Sequence, residues 1–480
     1  MGESIYFGCN AIFIQISHQG NITSRIAMSK AHVLAIPYPA QGHVIPLMEL
    51  SHELVKHGIK ITFVNTDFTH NQIMKALGEK DIEGNEIQLV SIPDGLEDGE
   101  SRNDLGKLTE AMCKVMPKKL EMLIEDVNKS VSNKITCVVA DESLGWVLEM
   151  AKKMGIPSVA FWPASASLLT LSFSIQKLLE DGTIDGDGTP AKDQIIQLAP
   201  MMPAMRTTEF VWTCLGSLTT QKFIFDYMCR NNKAVEVAEW IICNSTYDHE
   251  PAAFALAPKI LPIGPLAAGN HAGYLAGNFW PEDSTCLNWL DQQPTNSVTY
   301  VAFGSFTVFD HNQLQELALG LELSNKPFLW VVRSDVNNGK HHAFLKEFED
   351  RVHPRGKVVI WAPQQKVLTH PSVACFLSHC GWNSTMEGSI NGIPFLCWPY
   401  FADQFLNETY ICDIWKVGLR LDRNSGIITR EEVAYKIKQL LHDDTFKARA
   451  LELKILAMNS VKEGGSSNKN LNNFIDWIKA

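Results

Sequence analysis

The sequence predicts an α/β protein built as two Rossmann-like, parallel-sheet domains, and three observations predict it. Short apolar, β-branched runs alternate with helical stretches from Ala31 onward. A second series of the same kind starts near Val298. Between them, Gly264–Pro281 is rich in Gly, Ala, Asn and Pro and has no strong periodicity. Strand, helix, strand in this rhythm implies right-handed βαβ units and a sheet covered on both faces, and the compositional break reads as a linker. The length of 480 residues also calls for more than one domain.

In the first series His32–Ile36 reads as a buried strand, followed by a Gly/Pro turn and an amphipathic segment through Leu47, Leu50, Leu54 and Val55. Lys60–Asn65, Ile87–Ile92, Thr136–Ala140 and Ser158–Phe161 are the next strands, with helices over Thr109–Val127 and Gly145–Lys153. The second series predicts strands at Val298–Phe303, Phe328–Val332, Lys357–Ile360, Ala374–Leu377 and Pro394–Cys397. Its clearest helices are Asn312–Leu323 and Asn383–Ile390. A last helix, about Asn468–Ala480, places Leu471, Phe474, Ile475 and Ile478 on one face. That face must pack on something; the N-terminal domain is the candidate, although spacing alone does not choose. The expected division is an extension outside the fold (1–27), an N-terminal domain (28–263), a linker (264–284), a C-terminal domain (285–459) and the closing helix (460–480).

Composition narrows the partners. A formal net charge of -11 argues against broad binding to nucleic acid, which relies on Lys and Arg neutralising phosphates. The 11 cysteines are scattered, with no CxxC pair and no metal-ligand spacing, and read as reduced thiols of a cytoplasmic protein. Ile5–Ile16 is fairly apolar, but Glu3 precedes it and Asn10 and Gln15 interrupt it, so it makes a poor secretory signal. Tyr6 stands where myristoylation needs Ser or Thr. No run of about 18 apolar residues is present to span a membrane. The sequons at Asn21, Asn128, Asn244, Asn383 and Asn407 therefore carry little meaning.

Chemistry-bearing residues fall at strand ends, where open α/β sheets bind ligands. His43 lies in the turn Pro37–His43 after the first strand; alone, a histidine there is most often a surface or capping residue. Asp141 closes another strand of the same half, where an aspartate is often just a helix cap. Together above one sheet, the carboxylate would orient the imidazole and stabilise its protonated form, leaving the other ring nitrogen to take a proton from a hydroxyl. In the second half, His379-Cys-Gly-Trp-Asn-Ser-Thr385 joins a strand to a helix, with Glu387 one turn further. Unpaired N–H groups and the dipole at such a terminus favour an anion, phosphate above all, against the alternative of simple capping by Asn383 and Ser384. Gly304-Ser305 offers a second, weaker phosphate contact. Asp185-Gly-Asp187 resembles a metal-holding DxD motif but sits in an acidic, Gly-rich loop with no strand before it, and a solvated loop is the preferred reading. No G-x-S-x-G elbow, P-loop, HExxH or G-x-G-x-x-G turn is present.

The 44-residue segment Trp361–Gln404 resembles the signature box of plant secondary-product UDP-glycosyltransferases. It opens with Trp-Ala-Pro-Gln, carries His-Cys-Gly-Trp-Asn-Ser in its middle and closes on Asp403-Gln404. The resemblance runs from about Ser29 to the C-terminus and takes in Gly304-Ser305 and Glu463–Ser467. It implies a GT-B fold, with acceptor on the N-terminal domain and UDP-sugar on the C-terminal one. Carried over, Trp361 stacks on uracil with Ala362 and Gln364 nearby, and Glu387 binds the ribose. His379, Asn383, Ser384 and Ser305 contact the diphosphate, while Trp382, Asp403 and Gln404 read the sugar. A closing Gln usually accompanies glucose donors. His43 matches the family's general base and Asp141 its partner. Pro163 departs from the Thr or Ser that contacts the sugar's 6-hydroxyl in several relatives, with Ser165 as a candidate substitute.

The expected activity is transfer of a sugar from UDP-glucose to a small hydroxylated acceptor (flavonoid, other phenolic, terpenoid or hormone) with inversion to a β-glycoside. No cofactor and no metal is expected. The acceptor pocket is expected from parts of Phe161–Ser167 and Met201–Trp212. An epimerase-like enzyme and a non-catalytic UDP-sugar-binding protein are the alternatives. Oligomeric state is not legible.

Overall fold

The computed structural model describes residues 31–77, 87–214, 217–269, 277–333, 340–423 and 426–480, except the side chains of 340–342. The expected extension and Asn21 lie outside them. The first half forms strands β1 (His32–Ile36), β2 (Lys60–Thr66), β3 (Ile87–Ile92), β4 (Cys137–Asp141) and β5 (Ser158–Trp162). A short antiparallel pair follows, β6 (Ile195–Ile196) and β7 (Met205–Arg206), then β8 (Trp240–Cys243) and β9 (Ile260–Pro262). The second half supplies β10 (Val298–Ala302), β11 (Phe328–Val331), β12 (Gly356–Val359), β13 (Val373–Ser378), β14 (Phe395–Cys397) and β15 (Gly418–Arg420).

These assemble into two sheets, β3-β2-β1-β4-β5-β8-β9 and β12-β11-β10-β13-β14-β15, in which every neighbouring pair is parallel. Alternation along each strand explains the two-sided covering. On β1, Leu34 and Ile36 enter one core while Val33 and Ala35 enter the other. On β13, Phe376 goes to one face and Cys375 and Leu377 to the opposite one. Two facing α/β domains of this kind make the GT-B architecture that the signature box implies.

Besides the short β6–β7 pair, three strands of the two sheets escape the sequence pattern. β9 and β15 are only three residues long and β8 four, too short for a period to declare itself. They exist because a neighbouring strand is already in place to pair with. The linker by composition is also more structured at its ends than its residues suggest. Ile263 and Leu266 are buried in the N-terminal core, and the Phe279 N–H donates to Gln41 Oε1.

The final helix, Ser466–Lys479, crosses back to the N-terminal domain. Phe474, Ile475 and Ile478 join the core beneath β1 and β2, Trp240 packs on Phe474 and Trp477, and Asn470 donates to the Pro262 carbonyl. Burying each such side chain contributes about 1.5–3 kcal/mol, so this helix ties the two ends of the chain to one domain. Among the described residues no helix is long and apolar enough to cross a membrane.

Candidate active site

Each sheet reverses its strand order once, between β1 and β4 in the first and between β10 and β13 in the second. Loops leaving the carboxyl ends of such a pair diverge and open a crevice. His43 and Asp141 follow β1 and β4; Ser305 and His379 follow β10 and β13. All four belong to one site because of topology, across sequence separations of 98 and 74 residues. A single cavity of about 850 Å³ is lined by both crevices and by every other candidate residue except Ser165 and Asp141, the latter fully buried behind His43.

His43 Nδ1 and Asp141 Oδ2 are 2.7 Å apart. The His43 side chain is 27% exposed, so its remaining face looks into the cavity that it lines. Burial works against the imidazolium, but the charge and hydrogen bond of Asp141, and more weakly Asp403, outweigh it and raise the His43 pKa. Asp403 comes from the other domain, so carboxylates on both sides of the cleft bear on this ring.

The helix carrying His43, Gln41–Lys56, contains Pro46. A proline has no N–H to return to the carbonyl four residues back, here that of Gly42. Asn383 Nδ2 takes that carbonyl instead, at 2.9 Å, from the other domain. The helix defect beside His43 is therefore one of the points where the two domains clasp. Asn383, expected on the diphosphate, has one of its two amide N–H donors committed to this bridge, while its Oδ1 is buried without a partner.

On the C-terminal side, Trp361 lines the cavity and is backed by Trp280, with ring centroids 4.8 Å apart at 27°. Trp280 lies in the segment read as linker and had no periodic signal to betray it. Gln364 organises its surroundings. It donates to Ser384 Oγ (2.8 Å) and Glu387 Oε2 (2.6 Å) and accepts from Tyr300 Oη (3.0 Å). Burial pushes the Glu387 carboxyl up to about 7 against the hydrogen bonds of Gln364 and Gln365. Ala362 is buried beside them. Glu49, from the N-terminal domain, accepts from Gln365 at 2.8 Å and is pushed up to about 8 by burial and then by Glu387.

His379 is hemmed in by glycines: a Cβ on Gly304 would sit 2.6 Å from its Nε2 and one on Gly381 2.5 Å. No larger residue fits at either position without moving the ring. Cys380 between them has φ +65°, a left-handed conformation that non-glycine residues rarely adopt and that clusters at functional sites. Burial lowers the His379 pKa to about 4, so the ring is neutral near pH 7. The helix Trp382–Asn391 that follows begins at Gly381 with no side-chain cap. Of the two readings of this terminus, the geometry favours open N–H groups available to an anion over ordinary capping. Arg333, which the sequence reading missed, donates to the Gly304 and Thr307 carbonyls (2.9 and 3.0 Å) and so holds the loop carrying Ser305.

Among the residues expected on the sugar, Gln404 has its Oε1 fixed by the Tyr400 and Phe401 N–H groups, and Asp403 accepts from Asn407. Trp382 also lines the cavity, but its indole N–H donates to the Asn244 carbonyl of the other domain at 2.8 Å. Its side-chain donor thus serves the domain contact. Ser165 does not replace the missing hydroxyl at Pro163. It is fully buried and bonded to Glu250, whose carboxylate also accepts the Ala166 and Ser167 N–H groups. The Asp185–Asp187 loop is a closed turn: Asp185 accepts from the backbone N–H groups of Asp187 and Thr189, and Asp187 pairs with Lys222.

The N-terminal end of the cavity is lined by Trp162, Pro163 and Ala164 of the expected segment Phe161–Ser167 and by Leu168 beside it, but Met201–Trp212 contributes only Val211. Trp212 is buried and donates to the Gly188 carbonyl. The wall comes instead from Leu105 and Thr109 on the helix Leu105–Asn128, and from Ile224, Tyr227, Met228 and Asn231 on the helix Leu218–Ala234. Only packing identifies which face of those helices meets the cavity.

Comparison with known proteins places this arrangement. Residues 31–461 match the family described as UDP-glucoronosyl and UDP-glucosyl transferase. UDP-glycosyltransferase 83A1 of Arabidopsis thaliana is 50% identical over 464 residues, covering 94% of this chain and 98% of the relative. The 7-deoxyloganetin glucosyltransferase of Catharanthus roseus is 33% identical over 491 residues, covering 96% and 99%. The crystal structure of Os79 from O. sativa in complex with UDP superposes with a TM-score of 0.78 at 27% identity, covering 93% of this chain and all of that one.

Proposed function

The chain belongs to the plant UDP-glycosyltransferases of that family, enzymes that move a sugar from a UDP-sugar to a small molecule, and from that premise we propose that it transfers glucose to a hydroxyl of a lipophilic acceptor with inversion at the anomeric carbon. The observation that carries the reading is the His43–Asp141 pair opening on the same cavity as the C-terminal residues of the signature box.

His43 takes the proton of the acceptor hydroxyl as that oxygen attacks the anomeric carbon from the side opposite UDP. One displacement turns an α-linked donor into a β-linked product. Asp141, 2.7 Å from Nδ1, orients the ring and offsets the positive charge that appears on it. Charge grows on the departing diphosphate, where the uncapped terminus at Gly381, Ser305 and a neutral His379 N–H can receive it. Because these groups supply the stabilisation, the reading needs no metal ion or other cofactor. Trp361, Ala362, Gln364 and Glu387 seat the uridine, and Trp382, Asp403 and Gln404 border the sugar. A closed cleft excludes water that would otherwise hydrolyse the donor. Scattered thiols, all ten free among the described cysteines, fit a cytoplasmic enzyme.

The test is to incubate the protein with UDP-glucose, with and without a panel of phenolic and terpenoid alcohols, and to measure UDP release and product mass. UDP released together with an acceptor that gains one hexose in β-linkage supports the reading. Turnover without acceptor points to hydrolysis or epimerase-like chemistry, and retention of UDP-glucose with no turnover on any acceptor points to a binding protein.

A further inference from the structure

Glu142 follows the carboxylate that holds His43 but takes no part in that pair. It opens the short turn Glu142–Leu144 behind β4. Asp141 accepts the Ser143 N–H at 2.9 Å, and Tyr227 Oη donates to the Ser143 carbonyl. These two bonds fix the backbone beside Glu142 and so set where its side chain lies. That side chain is 5% exposed, lines the cavity, and has an Oε1 that is buried with no hydrogen-bond partner.

Buried polar atoms are nearly always paired, and one left alone lowers stability. Nearby polar groups do not fill the gap. Tyr38 Oη pairs with Thr109 Oγ1 at 3.0 Å, and Tyr227 Oη is already spent on Ser143. The fold thus tolerates an unsatisfied carboxyl at the N-terminal end of the cavity, beside apolar wall residues. Such a group has a use only when something else occupies the space.

We propose that Glu142 is an acceptor-specificity residue, whose carboxyl hydrogen-bonds a second, non-reacting oxygen function (hydroxyl or carbonyl) on a neutral lipophilic acceptor. This rests on the reading of the N-terminal end of the cavity as the acceptor site. Burial, and then the charge of Asp141, push Glu142 up to about 8, so near pH 7 it is mostly neutral and offers both an O–H donor and an acceptor oxygen. A neutral acid suits a hydroxyl or a carbonyl equally. It gives no counter-charge to a cationic acceptor, and an anionic one would feel the charge of Asp141 behind His43.

The experiment measures dissociation constants by calorimetry, in the presence of UDP, for 4-hydroxybiphenyl and for its dihydroxy isomers bearing the second hydroxyl on the distal ring. Wild type, Glu142→Gln and Glu142→Leu are compared, with UDP affinity as the check on folding; Glu142→Met replaces the Leu variant if that one fails to bind UDP. Wild type should bind at least one isomer about tenfold tighter than 4-hydroxybiphenyl. The apolar variant should reduce that preference to about twofold or less, and Gln, which still donates and accepts, should keep most of it. No preference in wild type, or a preference that survives in the apolar variant, overturns the proposal. Transfer is scored separately through UDP released from UDP-glucose. A Glu142-dependent preference without hexose transfer defeats the proposed function and leaves this inference standing. Transfer without the preference defeats this inference alone.

Discussion

Replacing Asp141 with Asn keeps the size of the side chain and removes the charge beside His43. With Nδ1 and Oδ2 at 2.7 Å, the charge centres lie about 4 Å apart, worth about 4 kcal/mol at an effective dielectric of 20. Burial of the ring is set against that attraction. In the native pair the attraction prevails and His43 lies above its ordinary 6.5. In Asp141→Asn burial remains, opposed only by the weaker pull of Asp403, so the ring should titrate below 6.5. A base works deprotonated, so the rate climbs as pH rises through its pKa. The acid limb of kcat/KM against pH, measured by UDP release at fixed acceptor, should therefore sit above 6.5 in wild type and below it in the variant. On the alkaline plateau the variant should still be about 10²–10⁴-fold slower, because its base is weaker and the ring's tautomer is no longer held. An acid limb in Asp141→Asn at or above the wild-type position would refute the assignment of His43 as a base tuned by this carboxylate.

Three further outcomes are expected. Trp361→Ala should weaken UDP binding about tenfold in calorimetry, since stacking on an aromatic face is worth about 0.5–1.5 kcal/mol beyond area burial; unchanged affinity would remove Trp361 from the uracil site. Asn383→Ala should lower the denaturation midpoint by removing the bond to the Gly42 carbonyl, a loss of about 0.5–1.5 kcal/mol, and should cost less in a Pro46→Ala background, where residue 46 can donate to that carbonyl. A double-mutant cycle with no coupling would show that the clasp does not depend on the proline. Glu49, whose folded pKa of about 8 lies above its ordinary 4.5, destabilises the fold progressively as pH rises through that window. Glu49→Gln should accordingly unfold at a higher temperature than wild type, by a margin that widens from acid to mildly alkaline pH; a margin independent of pH would contradict the raised pKa.

Much of this protein is legible along the chain because its signals are local. The strand His32–Ile36 was bounded by its own residues because it is buried along its whole length, and Ile87–Ile92, an edge strand with Gln88 and Ser91 exposed, by the apolar residues at its two ends. The box Trp361–Gln404 is contiguous, so its order could be read directly. Ser165 was misjudged for the opposite reason. Its hydroxyl is next to Pro163 in sequence, but Glu250, 85 residues away, claims it.

The sequence by itself therefore determined the fold class, the two-domain plan, the family and the residue types needed for the chemistry. The fold class and domain plan follow from periodicity and composition, and the family from the resemblance carried by the contiguous box Trp361–Gln404. Tertiary structure realised the His43–Asp141 pairing and the helix placement that the sequence suggested, and it alone decided the remaining contacts. Strand order put His43 against Asp141, the proline gap at Gly42 received Asn383 from the other domain, the closing helix returned to the first domain, and two helices far from the signature box walled the cavity. Those pairings depend on long-range closure and on which side of a helix is left uncovered by packing, and no local pattern encodes either one.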